Sequence, residues 1–284
     1  MNIREFYKQF KKNKSALVGA FIVAFLIISA IFAPLFIKHD PLAQNAELRL
    51  EKPFWNEKGS LEHILGTDDL GRDIFARLMH GARISLSIGI VAMSIAVFFG
   101  VILGLFAGYF GGKIDMLIMR LMDIMLALPS ILLIIIVVAI LGPSLFNAML
   151  AIGFVGIPGF ARLIRGSVMA EKEKEYVSAS RLNGSSSMRL MFKVILPNCS
   201  VPLIVQTTMG FASCVLEAAG LSFLGLGAQP PTPEWGAMLM DAMTYITTAP
   251  QLLVFPGAMI FLTVMGFNLV GDGIMDALDP KRTT

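Results

Sequence analysis

Between Arg83 and Lys113 the chain runs from Ile84 to Gly112 without one charged side chain, and four further stretches behave in the same way. Ala16–Ile37 is uncharged between Lys14 and Lys38, Ile124–Ala161 between Asp123 and Arg162, Val194–Leu216 between Lys193 and Glu217, and Ala242–Gly271 between Asp241 and Asp272. A helix of about 20 apolar residues crosses the roughly 30 Å of bilayer hydrocarbon. Ile124–Ala161 is too long for one crossing, and Leu141-Gly142-Pro143-Ser144 interrupts it with turn chemistry, so it reads as a helical hairpin. The fifth span extends toward Phe223, and the sixth carries Pro250 and Pro256 near its start. The expectation is an all-α, polytopic membrane protein with six transmembrane helices. Composition excludes the rivals: charged residues are 15% and hydrophobic residues 56%, which fits neither a soluble globule, a disordered chain nor a disulfide-rich secreted scaffold. A net charge of +3 is too small to argue for nucleic acid.

The first apolar run follows a basic stretch from Arg4 to Lys14 but exceeds the roughly 7–15 residues of a signal-peptide core and is followed by no A-x-A site. It reads as a retained first helix. Of the 23 Lys and Arg, most fall in the N-terminal segment, beside Lys113 and Arg120, between Arg162 and Lys193, and at Lys281 and Arg282. The remainder, Lys38 to Arg83, share one long loop, where charge bias directs topology only weakly. This distribution predicts both termini on the cytoplasmic side. The expected organisation is a cytoplasmic segment 1–14, a first span 15–37, an outer loop 38–83, and a membrane domain 84–284 containing an inner loop 162–197.

Catalytic and metal motifs fail on their spacing. Gly112-Lys113 is the only Gly-Lys pair, and Ala107 and Ile114 stand where a phosphate-binding loop needs Gly and Ser/Thr. A calcium loop starting at Asp68 would put Asp73 at its glycine and Met79 at its glutamate. There is no H-E-x-x-H or G-x-S-x-G. His39, His63 and His80 are isolated along the chain, and Cys199 and Cys214 read as buried thiols.

Gly100, Gly104 and Gly108 form a small-xxx-small ladder, read as a packing face. A charge at a helix centre costs about 2.5–3.5 kcal/mol on insertion scales. Arg120 and Asp123, three apart, are expected to pair with one another. Glu217 sits deep in the fifth span, either lining an aqueous path that attracts a substrate's amino end or pairing with another subunit.

The inner loop is polar and amphipathic. Glu175 to Gly184 reads as a helix ending at glycine, followed by a turn, a second short helix through Lys193, and Pro197 opening the next span. Small residues at Ala179 and Ser180 suit close seating in a groove, although an ordinary solvated interfacial helix has the same pattern.

Ser178-Ala179-Ser180, Gly184, Val194 and Leu196-Pro197 resemble, in register, the E-A-A-x3-G-x9-I-x-L-P motif of ABC importer permeases. Ser178 stands where that motif has Glu, Ser180 where it has its second Ala, and Val194 where it has Ile. Leu65-Gly66-Thr67-Asp68-Asp69-Leu70-Gly71-Arg72-Asp73, Asp123 to Pro129, Phe223 to Pro231 and Asp272 to Pro280 are similar to C-type permeases of peptide and nickel importers. Dipeptide importers are the nearest group.

The resemblance implies a type I ABC importer fold and a multi-pass protein of the bacterial inner membrane. It implies a second, non-identical permease, two cytoplasmic ATPases that use ATP and Mg, and a periplasmic peptide-binding protein. The chain itself would be no enzyme and would bind no cofactor. Glu175, Ser178, Ala179, Ser180, Gly184, Leu196 and Pro197 would form the loop that couples to the ATPases. Asp68, Asp69, Arg72 and Asp73 would brace the outer loop or contact the binding protein. Oligopeptides or nickel are the alternative cargoes. A stand-alone secondary transporter, needing a carboxylate relay through the membrane, is the rival class.

Overall fold

The computed structural model describes residues 3–278. Asn13 separates a short basic helix, α1 (Ile3–Lys12), from α2 (Lys14–Phe36). Its side chain accepts from the Ala16 amide at 3.1 Å, and its Nδ2 donates to Asp276 at 3.0 Å. Residues 37–73 are irregular, with one 3₁₀ turn at Ala46–Leu48. The next helix, α3 (Ile74–Phe110), begins ten residues before its uncharged run because the Asp73 carboxylate caps the Ala76 amide at 2.6 Å. At about 1.5 Å per residue, 37 residues extend roughly 55 Å, so α3 outreaches the hydrocarbon.

Gly111 and Gly112, with φ of +67° and +53°, turn the chain into α4 (Gly112–Leu126). The long run 124–161 breaks twice rather than once. The hairpin at 142–144 is present, with Gly142 at φ +91° and Ser144 capping the next helix. A further break at Ala127-Leu128-Pro129 bends α4 by 91° from α5 (Ser130–Leu141), since proline has no amide to continue the ladder. Then follow α6 (Leu145–Lys172), α7 (Glu175–Leu182) and the single turn α8 (Ser187–Arg189). A π-helical turn (Leu190–Ile195) and a 3₁₀ turn (Leu196–Cys199) lead into α9 (Ser200–Phe223). The last apolar run does not start as a span: a short helix, α10 (Trp235–Ala242), ends where the run begins, a 3₁₀ turn follows (Met243–Tyr245), and α11 (Gln251–Leu278) starts after Pro250. Among the described residues, five helices are long and apolar enough to cross a membrane, and the bent pair α4–α5 makes a sixth crossing if counted as one.

Large apolar side chains face outward along the bundle: Phe21, Leu35 and Ile140 are each at least 74% exposed. Water would not tolerate that surface, and lipid does. Inside, helix α3 packs most extensively on α6, and the glycine ladder makes the crossing. A Cβ on Gly104 would stand 2.4 Å from the Ala161 carbonyl oxygen, and one on Gly100 2.4 Å from the Phe160 Cβ. Helices α2, α3, α9, α10 and α11 share a core at the end carrying residues 37–73, around Trp235, Leu26 and Ile74. A second core at the opposite end joins α3 and α6 to the loop after α6. Cys199 and Cys214 are both buried and free.

Candidate functional site

The loop between α6 and α9 is built onto the helix ends, not tethered to them. Glu171, the penultimate residue of α6, is buried. Its carboxylate accepts from the Tyr176 hydroxyl and lies 2.7 Å from the Lys174 ammonium, stapling the end of α6 to the start of α7. Glu175 places a negative charge in the first turn of α7, where the helix dipole favours it. Val177 is fully buried against Leu190, Met191 and Ile195 of the following segment and Leu105, Ile164 and Val168 of α3 and α6.

Helix α7 stops in a Schellman motif. The Gly184 amide donates to the Arg181 carbonyl at 3.0 Å and the Ser185 amide to the Ser180 carbonyl at 3.3 Å, with Gly184 at φ +79°. Ser186 then accepts from the Arg189 amide at 3.4 Å and starts α8. With Val177 and Glu171 turned inward, α7 exposes Glu175, Ser178, Ala179 and Arg181, and Leu182 is 89% bare. Leu196 is half-buried and Pro197 exposed in the 3₁₀ turn entering α9. The outcome is a shallow face of small side chains with one protruding leucine, held on a rigid seat. Tyr176 and Glu171 escaped the sequence reading. The five-residue spacing that joins them crosses a helix break and matches no helical period.

Two ion pairs fasten α4 to α6 nearby. Arg165 Nη2 donates to Asp115 Oδ2 at 2.6 Å, and Arg162 Nη2 to Asp123 Oδ1 at 2.5 Å. The expected Arg120–Asp123 pair is therefore replaced: the carboxylate takes a guanidinium from the facing helix, and Arg120 is left exposed. Burial pushes the Tyr176 phenol up to about 12, and its bond to the Glu171 carboxylate adds to the shift.

Glu217, on α9, is half-buried, with Ser130 at the start of α5 as its hydrogen-bonding neighbour. Leu216 and Gly220 beside it open instead on an apolar groove of about 520 Å³ between α9, α10 and α11, which Glu217 does not line.

At the other end, Asp68 organises the lobe of residues 37–73. Its Oδ1 accepts from the Leu70 and Arg72 amides at 2.9 Å, and its Oδ2 meets Arg72 Nε at 2.6 Å and Arg77 Nε at 3.4 Å. Asp69 and Asp241 each lie 3.8 Å from Arg72 Nη2. Asp68, Arg72 and Arg77 are at most 8% exposed. Burial, the largest influence, pushes the Asp241 carboxyl up against the pull of Arg77 and Arg72. Asp73 stands apart from this network, capping α3 and bonding His63 Nδ1 at 2.8 Å.

Sequence reading missed Glu234, which is 1% exposed and caps α10 through the Ala237 amide at 2.9 Å while accepting from Ser85 at 3.1 Å. Trp235 donates to the Leu78 carbonyl at 3.0 Å. These bonds pin α10 to α3.

An all-helical bundle with apolar side chains facing outward and, among the described residues, five to six helices long enough to cross is the form of a polytopic membrane protein. The chain belongs to the family of binding-protein-dependent transport system inner membrane components, whose model matches residues 100–284. Residues 2–53 match the N-terminal TM domain of oligopeptide transport permease C. It is thus a multi-pass inner-membrane protein of that transport family. It is 53% identical over 278 residues to a dipeptide transport system permease protein of Alkalihalophilus pseudofirmus, covering 98% of this chain and 90% of the relative. A di/tripeptide transport system permease protein of Pseudomonas aeruginosa is 50% identical, covering 98% and 92%, and the dipeptide permease protein of Escherichia coli K12 is 52% identical, covering 98% and 93%. Among solved structures, a chain of the MetNI methionine ABC transporter superposes with a TM-score of 0.60 at 20% identity, covering 72% of this chain and 98% of that one. That likeness concerns the fold.

Proposed function

We propose that this chain is a permease subunit of an ATP-driven importer that carries dipeptides across the bacterial inner membrane. The observation that carries the cargo assignment is identity near one half, over 98% of the chain, to permeases named for dipeptides. In this reading both termini face the cytoplasm, and a second, non-identical permease completes the translocation path. Two cytoplasmic ATPases hydrolyse ATP with Mg, while this chain breaks no bond and holds no cofactor. A periplasmic peptide-binding protein delivers the cargo.

The coupling surface is the exposed face of α7 with Glu175, Ser178, Ala179, Ser180 and Gly184, backed by Leu196 and Pro197. Its shallow relief suits a groove in an ATPase, with Leu182 as the anchor. ATPase closure pushes on this face, and because Val177, Tyr176 and Glu171 join it to α3 and α6, the push tilts the bundle. Glu217 borders the path and attracts the peptide's amino end. Asp68, Asp69, Arg72 and Asp73 brace the outer lobe.

The test is uptake of labelled dipeptide, oligopeptide and nickel in a strain deleted for this gene and complemented with it. Dipeptide uptake restored by the wild-type chain supports the reading. Restoration of only oligopeptide or nickel uptake reassigns the cargo. Uptake that persists when the partner ATPases are inactivated overturns the importer reading in favour of a secondary carrier.

A further inference from the structure

His39 and His63, far apart along the chain, come together at the junction of α2 and α3. Their ring centroids are 4.7 Å apart with planes inclined at 37°. Together with Asp73 they offer one donor atom each within 4.8 Å of one another. His63 and Asp73 are 6% and 5% exposed, while His39 is half-buried and leaves the cluster open on one side.

We infer that His39, His63 and Asp73 form a binding site for a single first-row transition-metal dication of the zinc class. Two imidazoles and a carboxylate suit zinc, nickel or copper, whereas calcium and magnesium take oxygen ligands. The surrounding bonds orient the ligands as metal sites require. Asp73 Oδ1 is committed to the Ala76 amide at 2.6 Å, and Oδ2 lies 2.8 Å from His63 Nδ1, a bond that an ion held by both atoms would replace. His39 Nε2 lies 3.1 Å from the Glu62 carbonyl oxygen; donating there, it keeps a lone pair on Nδ1 for a metal. An ordinary ion pair accounts for His63 with Asp73, but not for a second imidazole held beside them.

Such an ion clips the end of α2 to the start of α3 and closes the lobe between them. It is a resident structural ion, distinct from cargo, since its ligands belong to a helix cap and the adjoining loop.

The experiment uses the full-length protein in detergent, purified with a histidine-free tag, stripped with EDTA and titrated calorimetrically with Zn²⁺, with Mg²⁺ as control. One Zn²⁺ per chain and a rise in the thermal midpoint are expected, with no response to Mg²⁺. His39→Ala, at a half-exposed position, should weaken Zn²⁺ binding by at least about tenfold while leaving the metal-free thermal midpoint near that of the wild type. His80→Ala, altering the third histidine, should leave it unchanged. Absence of stoichiometric Zn²⁺, or equal affinity in the wild type and His39→Ala, overturns the inference. Neither result touches the transport reading, which uptake assays address separately.

Discussion

Ser180 and Ser185 hold one another across the Gly184 turn: their hydroxyl oxygens are 3.0 Å apart, and the Ser185 amide donates to the Ser180 carbonyl. The turn between them depends on a left-handed residue with open space where a side chain would stand, since a Cβ at Gly184 would meet no atom within 4 Å. Conformation and space are thus separable at this position.

Gly184→Ala should cost about 1–2 kcal/mol in the turn alone, lowering the ratio of formed to unformed turn by roughly five- to thirtyfold. Dipeptide uptake should fall while the thermal midpoint and membrane assembly hold. Gly184→Trp should in addition abolish co-purification of the ATPases. Normal uptake by Gly184→Ala would remove this turn from the coupling surface.

The opposite behaviour is expected at Gly104, where a Cβ would stand 2.4 Å from the Ala161 carbonyl oxygen. Gly104→Leu should overpack the α3–α6 crossing, costing about 1–3 kcal/mol or more and lowering folded yield in detergent. Gly166→Ala, in α6 with open space around it, should be neutral or slightly stabilising. Fluorescence-detected thermal unfolding distinguishes the two.

Tyr176 donates to Glu171, and its phenol is pushed up to about 12. The neutral phenol is the favoured form in the fold. The stability it contributes is therefore complete below the ordinary tyrosine value and is lost only as pH rises through about 12. Between pH 6 and 9 this contact should be indifferent to pH. Tyr176→Phe should cost about 0.5–1.5 kcal/mol, toward the lower end because the ring is partly exposed. Uptake measured against pH should shift in amplitude but not in shape.

Arg72 is 4% exposed and carries Asp68, Asp69 and Asp241 around it. Arg72→Ala removes the nearest cation from the buried Asp68 carboxylate and should destabilise the protein by about 3–5 kcal/mol. The exposed pair Arg162–Asp123 provides the contrast: Asp123→Asn should cost no more than about 1 kcal/mol. Equal effects in a melting assay would contradict the brace.

Glu217→Gln keeps the side chain's size and its capacity to bond Ser130 while deleting the charge. Dipeptide uptake should fall with permease assembly intact. Loss of assembly instead would assign Glu217 to subunit pairing, and unchanged uptake would exclude it from the path.

The spans were legible because absence of charge is a one-dimensional signal, and α2 and α9 follow it, whereas α6 runs on past the uncharged stretch to Lys172. The break at Leu128-Pro129 was written in the proline but masked by the apolar run around it. The Asp68–Arg72 pair, four residues apart, emerged only from the fold, and local charge spacing misassigned Asp123, whose partner Arg162 arrives from another helix. His39 and His63 looked solitary for the same reason, and so did Arg72 with Asp241. Such pairings depend on how the chain returns on itself, which no window of residues reports. The end of α7 was legible through Gly184, because a left-handed turn leaves its mark on one residue; the coupling role assigned to the loop came from the family resemblance instead.

The glycine ladder has a mechanical consequence. Where Gly100, Gly104 and Gly108 meet α6, few side chains intervene to change rotamer and dissipate a displacement. Helices α3 and α6 should therefore behave as one stiff strut with little compliance, rooted in the α7 seat at one end and reaching Asp73 at the other. A nudge of an ångström delivered at Val177 would then arrive, barely attenuated, at the far lobe.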